Sequence, residues 1–528
     1  MSKIMTAEAV ARQIPDGATI AFPGTASILV VDHLLAALEA RFLNEGHPRD
    51  LTAFEPCNAA ITPGTGIDRF AHEGMTRRVI ASAYPPFKGA RIMPMVLENR
   101  IAGYNLPMGV LYSLVREIGA GRPGVLTEVG RGTFVDPANG GGKLNQAAVE
   151  DLVETVTFDG RELLFYRAIP IDVTLLKATT ADSHGNLTME SEPLSLGVLS
   201  LAAAAKASGG RVFAQVERIA DRHSLDARLV AVPGELVDGV VLAPDAPQSE
   251  ASRHDPTLTG EVAAEIDREP VPDGPGRVIL ARAAAFLRDG WFVNLGVGLP
   301  GDIPRLLRET ECEERVSVST EHGAIGGLPT RLPTFGAHMN PESIIDPNDT
   351  FNIYTGGALD AAFLGLAEAD VEGNLNVSLF AGRLVGVGGF IDITHRTPRL
   401  FICGNFAAGG ARVEVADGRV RIIEQGTKKK LVGAVEHLTF SGASALAKGQ
   451  RLTMITERGL FAFTDGGWLL KEVAPGIEPE RDIAPLMDFP LKVAADVRPY
   501  APEVMGPAGP AFSAWLAESL GRTQDQLP

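Results

Sequence analysis

The chain has 528 residues, 45% hydrophobic and 21% charged, with a net charge of −17. That is the composition of a globular protein of more than one domain, and so acidic a balance argues against nucleic acid or an anionic membrane as partner, since basic surface carries both affinities. The three cysteines, Cys57, Cys312 and Cys403, are far apart and show no metal or CxxC spacing, and no apolar run approaches the ~18–20 residues of a membrane span, so a cytoplasmic protein without a metal or disulfide framework is expected.

The first 14 residues, MSKIMTAEAVARQI, form an amphipathic helical pattern without the apolar core of a signal peptide. The helical pattern of residues 7–14 is followed by Asp16-Gly17, a strand ATIAF and a turn at Pro23-Gly24. A second strand-like run, LTAF, ends at Glu55. Residues 243–276 are rich in Pro, Asp, Glu and Ser and weak in apolar period, which reads as a linker. Beyond it the opening order recurs: a helical pattern over 278–288, Asp289-Gly290, a strand WFVN and a turn at Gly296-Val297-Gly298.

A sharper repeat lies further on. IDVTLLKATTADSHGNLT (171–188) aligns without a gap on LDAAFLGLAEADVEGNLN (359–376). Asp172, Asp182, Gly185 and Asn186 fall on Asp360, Asp370, Gly373 and Asn374. Such self-similarity points to a duplicated unit, and alternating helix and strand patterns point to largely parallel sheets. The expected fold is therefore α/β, with two related domains at 1–245 and 277–528 joined by a linker at 246–276. The stretch from Asp16 to Asp172 is about 85 residues longer than that from Asp289 to Asp360, an insertion able to shape a substrate pocket.

Chemistry is expected mainly in the second half. VSVST (316–320) alternates as a half-buried strand, and Glu321 follows at once in a loop with Gly323, Gly326 and Gly327. Asn294-Leu-Gly-Val-Gly and Gly386-Val-Gly-Gly389 also follow apparent strands. In open parallel sheets ligands bind at the carboxyl ends of strands, where glycine-rich turns expose N–H groups to phosphate or an oxyanion. A glutamate facing them can serve as base, acid or nucleophile. The first half lacks the glycine cluster, and Glu55 is its nearest counterpart to Glu321. Neither cluster is a Rossmann fingerprint or a P-loop. His322 reads as structural or solvated, Cys403 as a core thiol, and Lys428-Lys429-Lys430 as a solvated face.

VNLGVGLP, STEHGAIGGLP and GRLVGVGGFIDIT resemble the signature segments of class I CoA-transferases. Residues 97–145 and the run ADVEGNLNVSLFAGR resemble the single-chain acetate/propionate CoA-transferase branch. The resemblance implies two similar α/β domains with the active site at their interface, and Glu321 as nucleophile. It also implies Gly388 and Gly389 as oxyanion and CoA-binding donors, with Asn294 and Gly296 positioning the glutamate and CoA. It implies acyl-CoA and carboxylic acid substrates, no permanently bound cofactor, and a homo-oligomer, dimer or tetramer. Two positions depart from the branch. The first glycine turn reads AFPGTAS, poorer in glycine, and Met108 stands where glutamine is expected. Methionine offers flexible apolar surface in place of an amide, so a pocket for a more apolar acyl chain is expected. Two rivals stay open: a thioesterase on the same machinery, and a sugar-phosphate sensor or isomerase of a related fold.

Overall fold

A computed structural model describes residues 3–58, 60–85, 87–266, 268–380 and 382–522. The first sheet is built around β1 (Thr19–Ala21), β2 (Leu51–Glu55), β3 (Thr76–Ala81), β4 (Ala102–Asn105), β5 (Val173–Asp182) and β6 (Arg211–Ala220). They lie in the order β4-β3-β2-β1-β5-β6, all parallel. Every residue of β1, β2 and β5 is buried, as expected of strands covered on both faces. The second sheet repeats the plan with β7 (Phe292–Leu295), β8 (Ser317–Ser319), β9 (Ala361–Gly365) and β10 (Arg399–Cys403), parallel in the order β8-β7-β9-β10.

The duplication extends to individual hydrogen bonds. Asp172 accepts from the Thr19 N–H at 2.8 Å, and Asp360 accepts from the Phe292 N–H at 2.9 Å, so each carboxylate ties the start of one central strand to the next. In the loop beyond, Asp182 accepts from the N–H groups of His184 and Asn186 and from Asn186 Nδ2. Asp370 does the same with Glu372, Asn374 and Asn374 Nδ2. An Asx-type loop of this kind needs Asp at its head and Gly-Asn further on, which is the pattern the sequence repeats.

Strand register also aligns the chemistry of the halves. Phe292 pairs with Ser317 as Thr19 pairs with Thr52. Counting along the strands, Glu55 falls at the place of Thr320, and the counterpart of Glu321 is Pro56. The first half has therefore no carboxylate at the place Glu321 takes in the repeat, and Glu55 is wholly buried one residue earlier.

The extra length of the first half contains β3, β4, helix α1 (Met108–Gly119) and a three-stranded antiparallel sheet over residues 124–167. Helix α1 buries Leu111, Leu114, Val115 and Ile118, and packs against α2 (Pro347–Thr355) of the second half. Tyr112 stacks on Phe351 across that contact, with ring centroids 6.4 Å apart. The stretch between Leu242 and Pro275 forms no helix or strand among its described residues, yet it is not a solvated tether. Gln248 is buried and donates to the Ser191 carbonyl at 2.7 Å, and Leu258 is buried as well. No helix among the described residues is long and apolar enough to cross a membrane.

The repeated loop sets a stability test. Asp370 is buried and holds three donors. Asp370→Ala is expected to lower unfolding free energy by about 3 kcal/mol, as charged hydrogen bonds lost in a buried loop do. Urea titration checks this; a change below about 0.5 kcal/mol would remove the loop from the stabilising set.

Candidate active site

The carboxyl ends of β1, β2, β3 and β4 face those of β7, β8 and β9 across a cleft of about 390 Å³. Cys57, Asn58 and Met108 line it from the first half, and Gly296, Phe335 and Leu366 from the second. Glu321 lies at the junction, one residue beyond the loop start at Thr320. Its side chain is 9% exposed, and among the described residues its Oε2 has no hydrogen-bond partner. No lysine or arginine side chain is among the described residues that line the cleft.

The glycine segment 386–389 is what brings the halves together. The Tyr84 N–H donates to the Val385 carbonyl at 2.7 Å, and the Gly388 N–H to the Ser82 carbonyl at 2.8 Å. Asn105, wholly buried at the end of β4, accepts from the Val387 N–H at 2.9 Å and donates to the carbonyls of Ala81 and Ser82. The segment thus binds to strand ends of the other half almost as an added strand. A side chain at Gly386, whose φ is +85°, would put Cβ 2.6 Å from the Ala83 Cα, so only glycine permits this approach.

These pairings separate the residues that the sequence grouped as donors. The Gly388 N–H is committed to Ser82, and the Gly296 N–H to the Phe363 carbonyl at 2.8 Å. Asn294 is fully buried beneath the cleft. Its Nδ2 donates to Tyr354 Oη at 3.3 Å, and Tyr354 donates to Ser319 Oγ at 2.8 Å, a network that braces β8 below the glutamate. The Gly389 N–H meets no acceptor among the described residues. A Cβ at position 389 would stand 3.2 Å from Glu321 Cγ and 3.1 Å from the Phe351 ring, so this glycine touches the glutamate directly. An ionisable carboxylate with an oxygen free among the described residues can move a proton or attack an electrophilic carbon.

Met108 opens α1 and lines the cleft, its methyl 3.9 Å from where a Gly388 Cβ would be. Its N–H donates to the Gly388 carbonyl at 2.9 Å. His322 is buried rather than solvated, edge-on to Phe335 at 5.4 Å, and burial lowers its pKa against the opposing effect of the Glu321 charge. A buried imidazole held neutral and turned to an aromatic ring is a wall of the cleft. Cys403 is buried on β10. The lysine run does not form one solvated face: Lys429 pairs with Asp488 at 2.7 Å, and Lys430 reaches inward to the Leu366 carbonyl at 3.2 Å, behind the cleft wall. Cys57, Asn58 and Asn105 carry no motif. Their signal is position, each just past or at the end of a first-half strand.

Comparison with known proteins fits this architecture. The sequence model described as Coenzyme A transferase matches residues 3–243. The caffeate CoA-transferase of Acetobacterium woodii is 39% identical, over 94% of this chain and 96% of that one. The acetate CoA-transferase YdiF of Escherichia coli strain K12 is 34% identical, over 94% and 93%. A crystal structure of the acyl-CoA transferase YdiF from E. coli O157:H7, in a thioester complex with CoA, superposes with a TM-score of 0.91 at 33% identity, covering 96% of both chains. The chain belongs to the coenzyme A transferase family. It is an enzyme, a CoA-transferase, with CoA thioesters as its substrates.

Gly389→Ala tests the close approach at the glutamate. Alanine suits the backbone there, so the fold is expected to hold while CoA transfer falls about 10–100-fold, the cost of displacing a reacting group by a fraction of an ångström. Unchanged transfer by a normally folded variant would show that the approach is not needed.

Proposed function

We propose that this enzyme moves CoA from an acyl-CoA to an apolar monocarboxylic acid by double displacement on Glu321. The observation that carries the reading is the buried Glu321 carboxylate, one oxygen without a partner among the described residues, packed beside Gly389 in a cleft between the halves. The carboxylate attacks the thioester carbonyl and expels CoA thiolate, forming a mixed glutamyl–acyl anhydride. The thiolate attacks the glutamyl carbonyl, which releases the first acid and leaves a glutamyl-CoA thioester. The acceptor carboxylate attacks that thioester, a second anhydride forms, and thiolate attack on its acyl carbonyl gives the new acyl-CoA and restores Glu321. Bonds made and broken are equal in number and kind, so the exchange needs no hydride, no metal and no net proton.

Each tetrahedral step places charge on a former carbonyl oxygen. One oxyanion donor is worth about 2.7–4 kcal/mol in acyl-transfer enzymes, and the Gly389 N–H is the donor free to supply it. Gly388, Gly296 and Asn294 act less directly: the first fixes the loop, the second shapes the wall and the third braces the strand. Burial serves the chemistry too. With Glu321 only 9% exposed, the approach of water to an anhydride or thioester on it is restricted, which favours transfer over thioesterase activity.

The cleft favours apolar acids: Ile61, Met108, Phe335, Val387 and Phe390 are among the residues that line it. With no lysine or arginine side chain among the described residues that line it, the cleft leaves a second carboxylate on the acid without a counter-charge, which argues for monocarboxylates. The names of the two relatives differ in acid, caffeate and acetate, and the methionine at position 108 supports an acid larger than acetate here. A cytoplasmic homo-oligomer with domains at 1–245 and 277–528 is part of this reading.

Two-substrate kinetics with butyryl-CoA and acetate are expected to give parallel double-reciprocal lines, and a thiol reagent is expected to detect no steady release of CoA without acceptor. Continuous thiol release without acceptor would establish hydrolysis instead. Met108→Gln is expected to lower the preference for butyryl-CoA over acetyl-CoA about 10-fold, within the range of a pocket contact; an unchanged kcat/KM ratio would overturn the role of Met108.

A further inference from the structure

Helix α1 begins without a cap of its own. Pro107 stands at its N-cap position and makes no side-chain hydrogen bond, although the first N–H groups of a helix need acceptors. The other half supplies them. Met108 donates to the Gly388 carbonyl, and Gly109 donates to Asp392 Oδ2 at 3.0 Å. The Val110 N–H also faces the Asp392 carboxylate. Asp392 lies on the short helix α3 (Phe390–Thr394), three residues past Gly389, and is 1% exposed. A side chain at Gly109 would stand 2.7 Å from Asp392 Oδ1, so the cap requires glycine opposite it. Phe351 packs against both ends of the arrangement, beside Gly109 and beside Gly389.

We propose that Asp392 is a positioning residue for CoA transfer: as a carboxylate it caps α1 across the interface and thereby holds the Gly389 N–H and Met108 in register with Glu321. The inference rests on the reading of Glu321 as nucleophile. A carboxylate at a helix N-terminus is favoured by the exposed N–H groups and the helix dipole. Two things oppose its charge. Burial pushes the Asp392 pKa up and the Glu321 charge adds a little to that, the N–H groups of Gly109, Asp392 itself and Val110 pull it down, and the balance lies at about 7. Among the described residues the Asp392 charge also reaches Tyr166, on the antiparallel sheet of the insertion, and Arg116 and Glu117 of α1 border the same cavity as Asp392.

Coupling to Glu321 gives the cap a place in the cycle. In the free enzyme the Glu321 charge opposes that of Asp392, though less than burial does. When Glu321 becomes an uncharged anhydride or thioester, that repulsion vanishes and Asp392 ionises more readily. The loop is then held most firmly in the states in which its N–H has an oxyanion to meet.

The sign of the pH effect follows from a raised pKa. Below about 7 Asp392 is protonated and caps α1 only through a neutral carbonyl oxygen; above it the charged carboxylate supplies the stronger cap. For butyryl-CoA with acetate as acceptor, kcat/KM, which reports groups of the free enzyme, is expected to rise through pH 7. In Asp392→Asn, which keeps the shape and one acceptor but not the charge, that rise is expected to vanish. Its kcat is expected to fall up to about 100-fold with KM for butyryl-CoA little changed. A wild-type profile flat between about pH 6 and 8, which needs no variant, overturns the proposal, as does a folded Asp392→Asn enzyme with wild-type kcat and profile. Single-turnover release of butyrate without acceptor separates the two readings. Wild type that releases none contradicts Glu321 as nucleophile and this coupling with it, whereas normal wild-type release with an unaltered Asp392→Asn profile removes only the role of Asp392.

Discussion

A buried carboxylate with one oxygen unpaired is the constraint around which this molecule is organised. Leaving such a group unsatisfied costs about 1–3 kcal/mol, and Glu321 bears that cost at the meeting point of two sheets. The surrounding structure holds it there. Below, the Asn294–Tyr354–Ser319 network fixes the strand from which the glutamate emerges. Above, Asn105 and the carbonyl of Ser82 fix the glycine loop that faces it. Neither half alone contains both supports, so the site exists only when the halves pack.

Duplication explains how the two halves come to face each other, and divergence explains why only one carries the reacting group. The repeated carboxylates Asp172 and Asp360 set the same strand order twice. One copy kept a glycine-rich loop after its second strand and the other has Glu55-Pro56 there, with the glutamate turned into the core. The first copy was then free to gain α1, whose N-terminus is completed by the other half. Met108 and Cys57 thereby shape the cleft from one side, and Glu321 and Gly389 line it from the other.

Much of this was legible in the sequence because it is local. Asp-x-x-Gly-Asn loops, alternating strands and glycine turns declare themselves within a few residues, and so the repeat and the parallel sheets were readable, and Glu321 and Met108 do line the cleft. What escaped depends on pairing over long separations. Gly388 and Gly389 are indistinguishable in sequence, yet Ser82, some 300 residues away, takes the N–H of one and leaves the other open. Asn105 and Asp392 look like ordinary polar residues until the interface brings each to a backbone group of the opposite half. The lysine run misled for a related reason: a charge cluster reads as solvated, but Lys430 turns inward because the Leu366 carbonyl lies within reach.

The central claim is that Glu321 itself carries CoA during turnover. Peptide mass mapping after incubation with butyryl-CoA, without an acceptor acid, tests it most directly. The account predicts that the Glu321 peptide gains the mass of CoA less one water, that added acetate discharges it, and that Glu321→Ala abolishes it. An active enzyme whose Glu321 peptide stays unmodified, or whose CoA adduct maps to another residue, would contradict the account.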